Sequence, residues 1–287
     1  MTSVEPSQGA RLAAARDGVE EIELQLLLEG VYRRYGFDFR EYAPASLRRR
    51  VWRRMRAEGR TTIAGLTEKL LHDSATMERL LLDLSINVTS MFRDPSFYVA
   101  FRAKVVPLLR TYPFTRIWVA GCSTGEEVYS LAILLQEEGL YERTRIYATD
   151  INESVIERAR AGVFPLDKMR EYTQNYQRAG GKRAFSEYYL AAYDGAQFYR
   201  SLTENVVFAQ HNLVSDSSFN EFQVVVCRNV MIYFDRTLQN RVHELFYESL
   251  VHLGVLGLGH KETIHFSPFE DRFEELDPNE RLYRKIA

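Results

Sequence analysis

Cysteine is scarce: only Cys122 and Cys227 occur in 287 residues, and no C-x-x-C pair is present. That excludes a disulfide scaffold and a zinc cluster, and it reads as two small buried thiols kept reduced in the cytoplasm. Long apolar runs are missing as well, none approaching the roughly 18–20 residues of a membrane span. The opening MTSVEPSQGARLAAARDGVEE has no apolar segment of the kind that defines a signal peptide, and residues 1–19 are expected to form a flexible tail. Neither charge sign dominates, with 37 Lys and Arg against 39 Asp and Glu, so the chain lacks the basic excess of a nucleic-acid-binding protein. What is present is an ordinary globular composition, 46% apolar and 26% charged, in a chain long enough for two domains.

The net charge of −2 hides a strong local imbalance. Between Tyr32 and Arg60 stand ten arginines against Asp38, Glu41 and Glu58. Within SLRRRVWRRMRAEG, Leu47, Val51 and Met55 share one helical face, while Arg49, Arg50, Arg53 and Arg56 fall mostly on others. Met77 to Leu84 is a second apolar helical stretch. Residues 20–100 therefore read as an all-helical domain with a basic face.

After Arg116 the pattern changes. RIWVAGC, RIYATDI, NVVFAQHNL, FQVVVCRNV and GVLGLGH are short apolar or β-branched runs, most of them separated by amphipathic helical segments. Such alternation predicts a parallel, doubly wound, Rossmann-like α/β domain over residues 101–287. In these sheets ligands bind at the carboxyl ends of the strands, so the polar clusters that close the first four runs should converge on one crevice. One crossover is too long. Within about residues 166–204, YYLAAYDGAQFYRSL reads as two alternating runs turned at Asp194-Gly195, a small antiparallel β insertion.

The first cluster, VAGCSTGEEVYS, is the most informative. A glycine turn feeding a helix normally cradles phosphate, yet here Glu126 and Glu127 occupy the start of the helix. Gly121 and Gly125 allow a tight turn and close backbone approach. Asp150, 25 positions beyond Gly125, ends the second strand where an acid accepts the hydroxyls of a ribose. Asn212 and Leu213 are suited to the edge and the face of an adenine, and Arg228-Asn229 border the same crevice. A ligand with adenosine but no phosphate, and with positive charge where phosphates would lie, fits S-adenosylmethionine. Arg93 is the natural partner for its carboxylate.

These residues also carry a resemblance. NVTSMFRD (87–94), AGCSTGEEVYS (120–130), ATDIN (148–152), CRNVMIYF (227–234) and GVLGLGHKET (254–263) are similar to the motif series of the CheR-type chemoreceptor methyltransferases, across residues 20–287. The resemblance implies methyl transfer from S-adenosylmethionine to glutamate side chains of a chemoreceptor's cytoplasmic helical region, with S-adenosylhomocysteine as product. It places cofactor contacts at Asn87, Thr89, Arg93, one or both of Glu126 and Glu127, Asp150, Asn212, Leu213, Arg228 and Asn229. Arg93 and Tyr233 match the positions that line the site of methyl transfer. The chain departs from the family at Lys261, where Gly-His-Ser-Glu is usual, and in its insertion.

Attack of a carboxylate on a sulfonium methyl needs no general base, because glutamate is already ionised at neutral pH. The basic helix, through Arg49, Arg50, Arg53 and Arg56, fits a substrate presented on an acidic helical bundle. A solvated helix face and a nucleic-acid surface are its rivals. Two further functions remain open at this level. One is methylation of another protein, a nucleic acid or a small molecule; the other is a regulatory module that binds the cofactor without turnover. No metal site and no membrane insertion are expected.

Overall fold

Leu47, Val51 and Met55 are all buried on one face of α2 (Pro44–Ala57). The computed structural model describes residues 8–84, 89–192 and 195–287, with side chains from residue 18 onward. Pro44 opens α2 at the first turn, where a missing N–H removes no helical hydrogen bond. With it stand α1 (Gln8–Tyr35), α3 (Ile63–His72) and α4 (Ser74–Leu84). The Thr62 hydroxyl caps α3 by accepting from the Gly65 N–H at 3.1 Å. α1 runs through residues 8–19, where a flexible tail is the expectation from sequence. The Ala- and Arg-rich composition of that stretch favours helix.

The chain divides into compact units at residues 1–86 and 87–287 rather than at 100/101. The reason lies in the segment after residue 88. Phe92 is fully buried against Tyr98 and Tyr176, and its N–H donates to the Ser130 hydroxyl at 2.8 Å, so this stretch belongs to the second core. Next come α5 (Pro95–Ala100), a π-helical turn and α6 (Val106–Leu109).

The second unit is built on β1 (Thr115–Ala120), β2 (Thr144–Asp150), β6 (Val206–Gln210), β7 (Phe222–Cys227) and β8 (Leu250–Leu258), all parallel. The sheet order is β6-β2-β1-β7-β8-β10-β9. β9 (Phe273–Asp277) and β10 (Leu282–Lys285) form an antiparallel extension that the motif reading did not anticipate. β1, β2 and β7 are buried along nearly their whole length, as strands covered on both faces must be. The crossovers include α7 (Glu126–Glu137), α8 (Glu153–Ala161) and α10 (Arg236–Ser249). β8 begins at Leu250, four residues before the Gly254 start read from sequence, because VHLG continues the strand and not the helix.

β1 and β7 are direct parallel neighbours, with Ile117 opposite Val224. This is the topological switch point, and it brings Cys122 and Cys227, both buried, to the ends of adjacent strands. The insertion is a three-stranded antiparallel sheet, β3 (Val163–Phe164)-β5 (Gly195–Phe198)-β4 (Tyr189–Ala192). Ala192 pairs with Gly195, so Gly195 opens a strand instead of sitting within the turn; Tyr193 and Asp194 lie outside the described residues. The insertion also contains a helix, α9 (Met169–Arg178). No helix among the described residues is long and apolar enough to cross a membrane.

Candidate active site at the strand ends

The loop after β1 is shaped by backbone conformations that a side chain would not tolerate. Gly121 and Gly125 have φ of 76° and 98°. A Cβ on Gly121 would lie 2.4 Å from Val230 Cγ2, and one on Gly125 would lie 2.9 Å from the Ala159 Cβ. The N–H groups of Gly121 and Cys122 both donate to the Thr149 carbonyl at 2.8 Å, stitching this loop to the end of β2.

Asp150 closes β2 and is buried. Its Oδ2 accepts from the Ser123 N–H at 2.9 Å and its Oδ1 from the Asn152 N–H at 3.0 Å. A carboxylate offers about four lone-pair sites, so acceptor capacity remains for ligand hydroxyls. Burial pushes its acid equilibrium upward, against those backbone bonds. After β6, the Asn212 side chain accepts from the Val214 N–H at 3.0 Å and its backbone N–H donates to Asp216 at 2.8 Å; Leu213 beside it is buried.

The two glutamates at the start of α7 have different environments. Glu127 is an ion-pair partner: its Oε1 receives Arg228 Nη1 at 2.8 Å. Glu126 is 6% exposed and accepts from two hydroxyls, Thr124 at 2.7 Å and Tyr172 at 3.3 Å, and from its own backbone N–H. No cation among the described residues pairs with it. Burial raises its pKa above the usual carboxylate range, while the two hydroxyls pull the other way.

Arg228, expected as a cofactor contact, has a different use for its side chain. The guanidinium is buried, bridges Glu127 and Asp94 at 2.8 Å each, donates to the Arg93 carbonyl at 3.1 Å and lies 4.1 Å from the centre of the Phe97 ring. It is therefore a frame for the site. Asn229 has φ of 62°, and its N–H donates to Glu262. Sequence reasoning assigned Glu262 no role. It is a buried carboxylate that accepts four backbone N–H bonds: from Gly259 at 2.7 Å, Asn229 at 2.8 Å, Val230 at 2.9 Å and Met231 at 2.7 Å. It locks the turn after β7 to the turn after β8. Its place in GHKE beside CRNV was the available signal.

Arg93 and Thr89 lie half-buried on the segment leading into α5, and Tyr233 half-buried in the short turn Met231–Tyr233. Asn87 lies outside the described residues. Arg49, Arg50, Arg53 and Arg56 of α2 belong to the first unit and do not share one role. Arg49, Arg53 and Arg56 are exposed, whereas Arg50 is buried and donates to the Leu84 carbonyl at the end of α4. Arg50 is thus a core strut and no part of an accessible basic face. Arg53 is paired with Asp83 at 2.6 Å yet keeps an exposed guanidinium. His211 packs against Trp118 and Phe219 and meets the Ser217 carbonyl, and His260 meets Glu280 at 2.8 Å.

Glycine-enforced backbone approach, an acid with spare acceptor capacity at the end of β2, and a buried carboxylate lacking a cation suit a nucleoside ligand with a positive tail and exclude a phosphate cradle. Fold and loop chemistry together define an S-adenosylmethionine-binding methyltransferase. Comparison with known proteins gives the particular family. Residues 87–280 match the CheR methyltransferase SAM-binding domain, and residues 22–85 match the CheR methyltransferase all-alpha domain. The chain belongs to the CheR methyltransferase family. It is 52% identical over 265 residues to a Pseudomonas putida protein named as the methyltransferase Cher3, covering 92% of this chain and 97% of that one. It is 30% identical over 260 residues to the chemotaxis protein methyltransferase of Escherichia coli, covering 85% and 84%. For the protein of that name in Listeria monocytogenes the identity is 28% over 236 residues, covering 82% and 87%.

Proposed function

We propose that this methyltransferase esterifies glutamate side chains on the cytoplasmic helical region of chemoreceptor-type proteins. S-adenosylmethionine supplies an electrophilic methyl on a cationic sulfonium. Residues of the second unit would hold it: Asp150 toward the ribose, Asn212 and Leu213 toward the adenine, and Glu126 toward the positive tail. Glu127, neutralised by Arg228, serves the frame. Arg93 and Tyr233 are proposed at the reacting end, Arg93 orienting a carboxylate and Tyr233 hydrogen-bonding near the methyl.

The observation that carries the choice of acceptor is the engagement of the nearby histidines. His211 turns Nε2 to the Ser217 carbonyl and buries Nδ1, and both ring nitrogens of His260 face carboxylates, Glu280 at 2.8 Å and Asp94 at 4.0 Å. An alcohol or amine acceptor needs a base to take its proton, whereas an ionised carboxylate needs none. Catalysis then rests on positioning, whose upper range is about 7–11 kcal/mol. The names of the Escherichia coli and Listeria relatives agree with this reading. Its test is mass analysis of a receptor cytoplasmic fragment after incubation with enzyme and cofactor. One methyl should appear on specific glutamates and vanish when those glutamates are replaced by glutamine. Methylation confined to lysine, or to added RNA, would contradict it.

A further inference from the structure

Helix α9 belongs to the insertion, yet it holds α7 and the segment before α5. Its Tyr172 and Tyr176 are one helical turn apart. Tyr172 donates to Glu126 at 3.3 Å, at the start of α7, and Tyr176 donates to Glu137 at its end. Glu126, Ser130 and Glu137 fall on one face of α7, being 4 and 11 positions apart. Between the two tyrosines, Asn175 donates to the Met91 carbonyl at 3.1 Å, and Glu171, just before Tyr172, accepts from the Ser90 hydroxyl at 2.8 Å. The insertion thus reaches a carboxylate of the cofactor loop with one hydroxyl. The rest of its grip falls on structural groups.

We propose that Tyr172 is a positioning residue for methyl transfer, holding the Glu126 carboxylate in the orientation and charge state that receive the positive tail of the cofactor. This rests on the reading that Glu126 faces that tail. The groups facing the carboxylate are Thr124 from its own loop, Tyr172 from α9 and the buried Cys122 thiol, with Glu171 and Asp167 near the Tyr172 hydroxyl. None is cationic. A buried carboxylate without a cation depends on its hydrogen-bond donors to stay ionised, and Tyr172 is one of three, with the Thr124 hydroxyl and the backbone N–H of Glu126 itself. Removing it favours the protonated acid, so the pH below which cofactor affinity falls should move upward.

The test uses the full chain and four proteins: wild type, Tyr172→Phe, Tyr176→Phe and Glu126→Gln. Affinity for S-adenosylhomocysteine is measured by calorimetry from pH 5 to 8, alongside thermal melting. Tyr172→Phe should weaken binding on the order of three- to tenfold and shift the acid limb upward. Tyr176→Phe should lower the melting temperature without moving that limb. Unchanged affinity and limb in Tyr172→Phe, with Glu126→Gln impaired, overturn the role of Tyr172 alone. If Glu126→Gln also binds normally, the assignment of Glu126 fails and the inference falls with it. A melting temperature lowered in Tyr172→Phe with an unmoved limb assigns the tyrosine to packing and likewise contradicts the proposal.

Discussion

At the scale of single residues, two buried carboxylates have opposite uses. Asp150 accepts from the Ser123, Asn152 and Ile151 N–H groups, and we assign its remaining acceptor capacity to ligand hydroxyls as a proposal. Asp150→Ala should weaken S-adenosylhomocysteine binding about 10- to 100-fold, the range for hydrogen bonds to a charged group, and calorimetry reads this directly. Glu262 spends everything on the protein. An amide at that position presents one acceptor oxygen and an NH2 that cannot accept, so Glu262→Gln should orphan buried N–H groups and cost about 2–4 kcal/mol in denaturant unfolding. Of these two, the place of Asp150 at a strand end was legible in the sequence, and its role toward a ribose is a proposal. Glu262 was not, since its four partners come from two separate turns that only the folded sheet brings together. For Arg228 the motif was visible in sequence, but its ion pairs with Asp94 and Glu127 were not, because those partners lie more than a hundred positions away.

At the scale of elements, periodicity identified most helices and all five parallel strands. It missed α9, whose apolar face is made of Met169, Tyr172 and Tyr176 and sits within a stretch read for its β content. It also overstated the basic face of α2, because spacing alone does not reveal that Arg50 faces the α4 terminus. The arginines that remain are partly neutralised by a local ionic hub. Glu58, just past α2, accepts from Arg79 on α4 at 2.7 Å, Lys69 on α3 at 2.6 Å and Arg54 on α2 at 3.2 Å. The Arg79 hydrogen bond first, then that of Lys69, hold its pKa down to about 2. A depressed carboxylate contributes stability that is present above its ordinary pKa near 4.5 and lost as pH falls toward 2. Protection of the buried Leu66 and Leu80 amides from hydrogen exchange, taken relative to the intrinsic rate at each pH, should therefore fall over that window. In Glu58→Gln that protection should be lower already at pH 7 and depend less on pH below 4.5. Equal pH dependence in both proteins would remove the hub from the account.

At the scale of the whole molecule, the division of labour visible in the sequence was correct in kind and displaced in position. A helical unit precedes an S-adenosylmethionine-binding α/β unit, but the boundary falls after residue 86, since the aromatic packing of Phe92 and Phe97 commits that segment to the second core. If the exposed Arg49, Arg53 and Arg56 steer an acidic receptor surface, replacing all three by glutamine should lower kcat/KM for a receptor fragment several-fold at low salt. The deficit should shrink by 0.5 M salt, while cofactor affinity stays unchanged. A salt-independent deficit would argue against steering. The central claim, that a carboxylate receives the methyl group, has one direct chemical signature. Receptor fragments labelled with tritiated methyl from S-adenosylmethionine should release that label as volatile methanol in mild alkali, as esters do. Label that survives alkali on the protein would place the methyl on nitrogen or another stable acceptor and contradict the account.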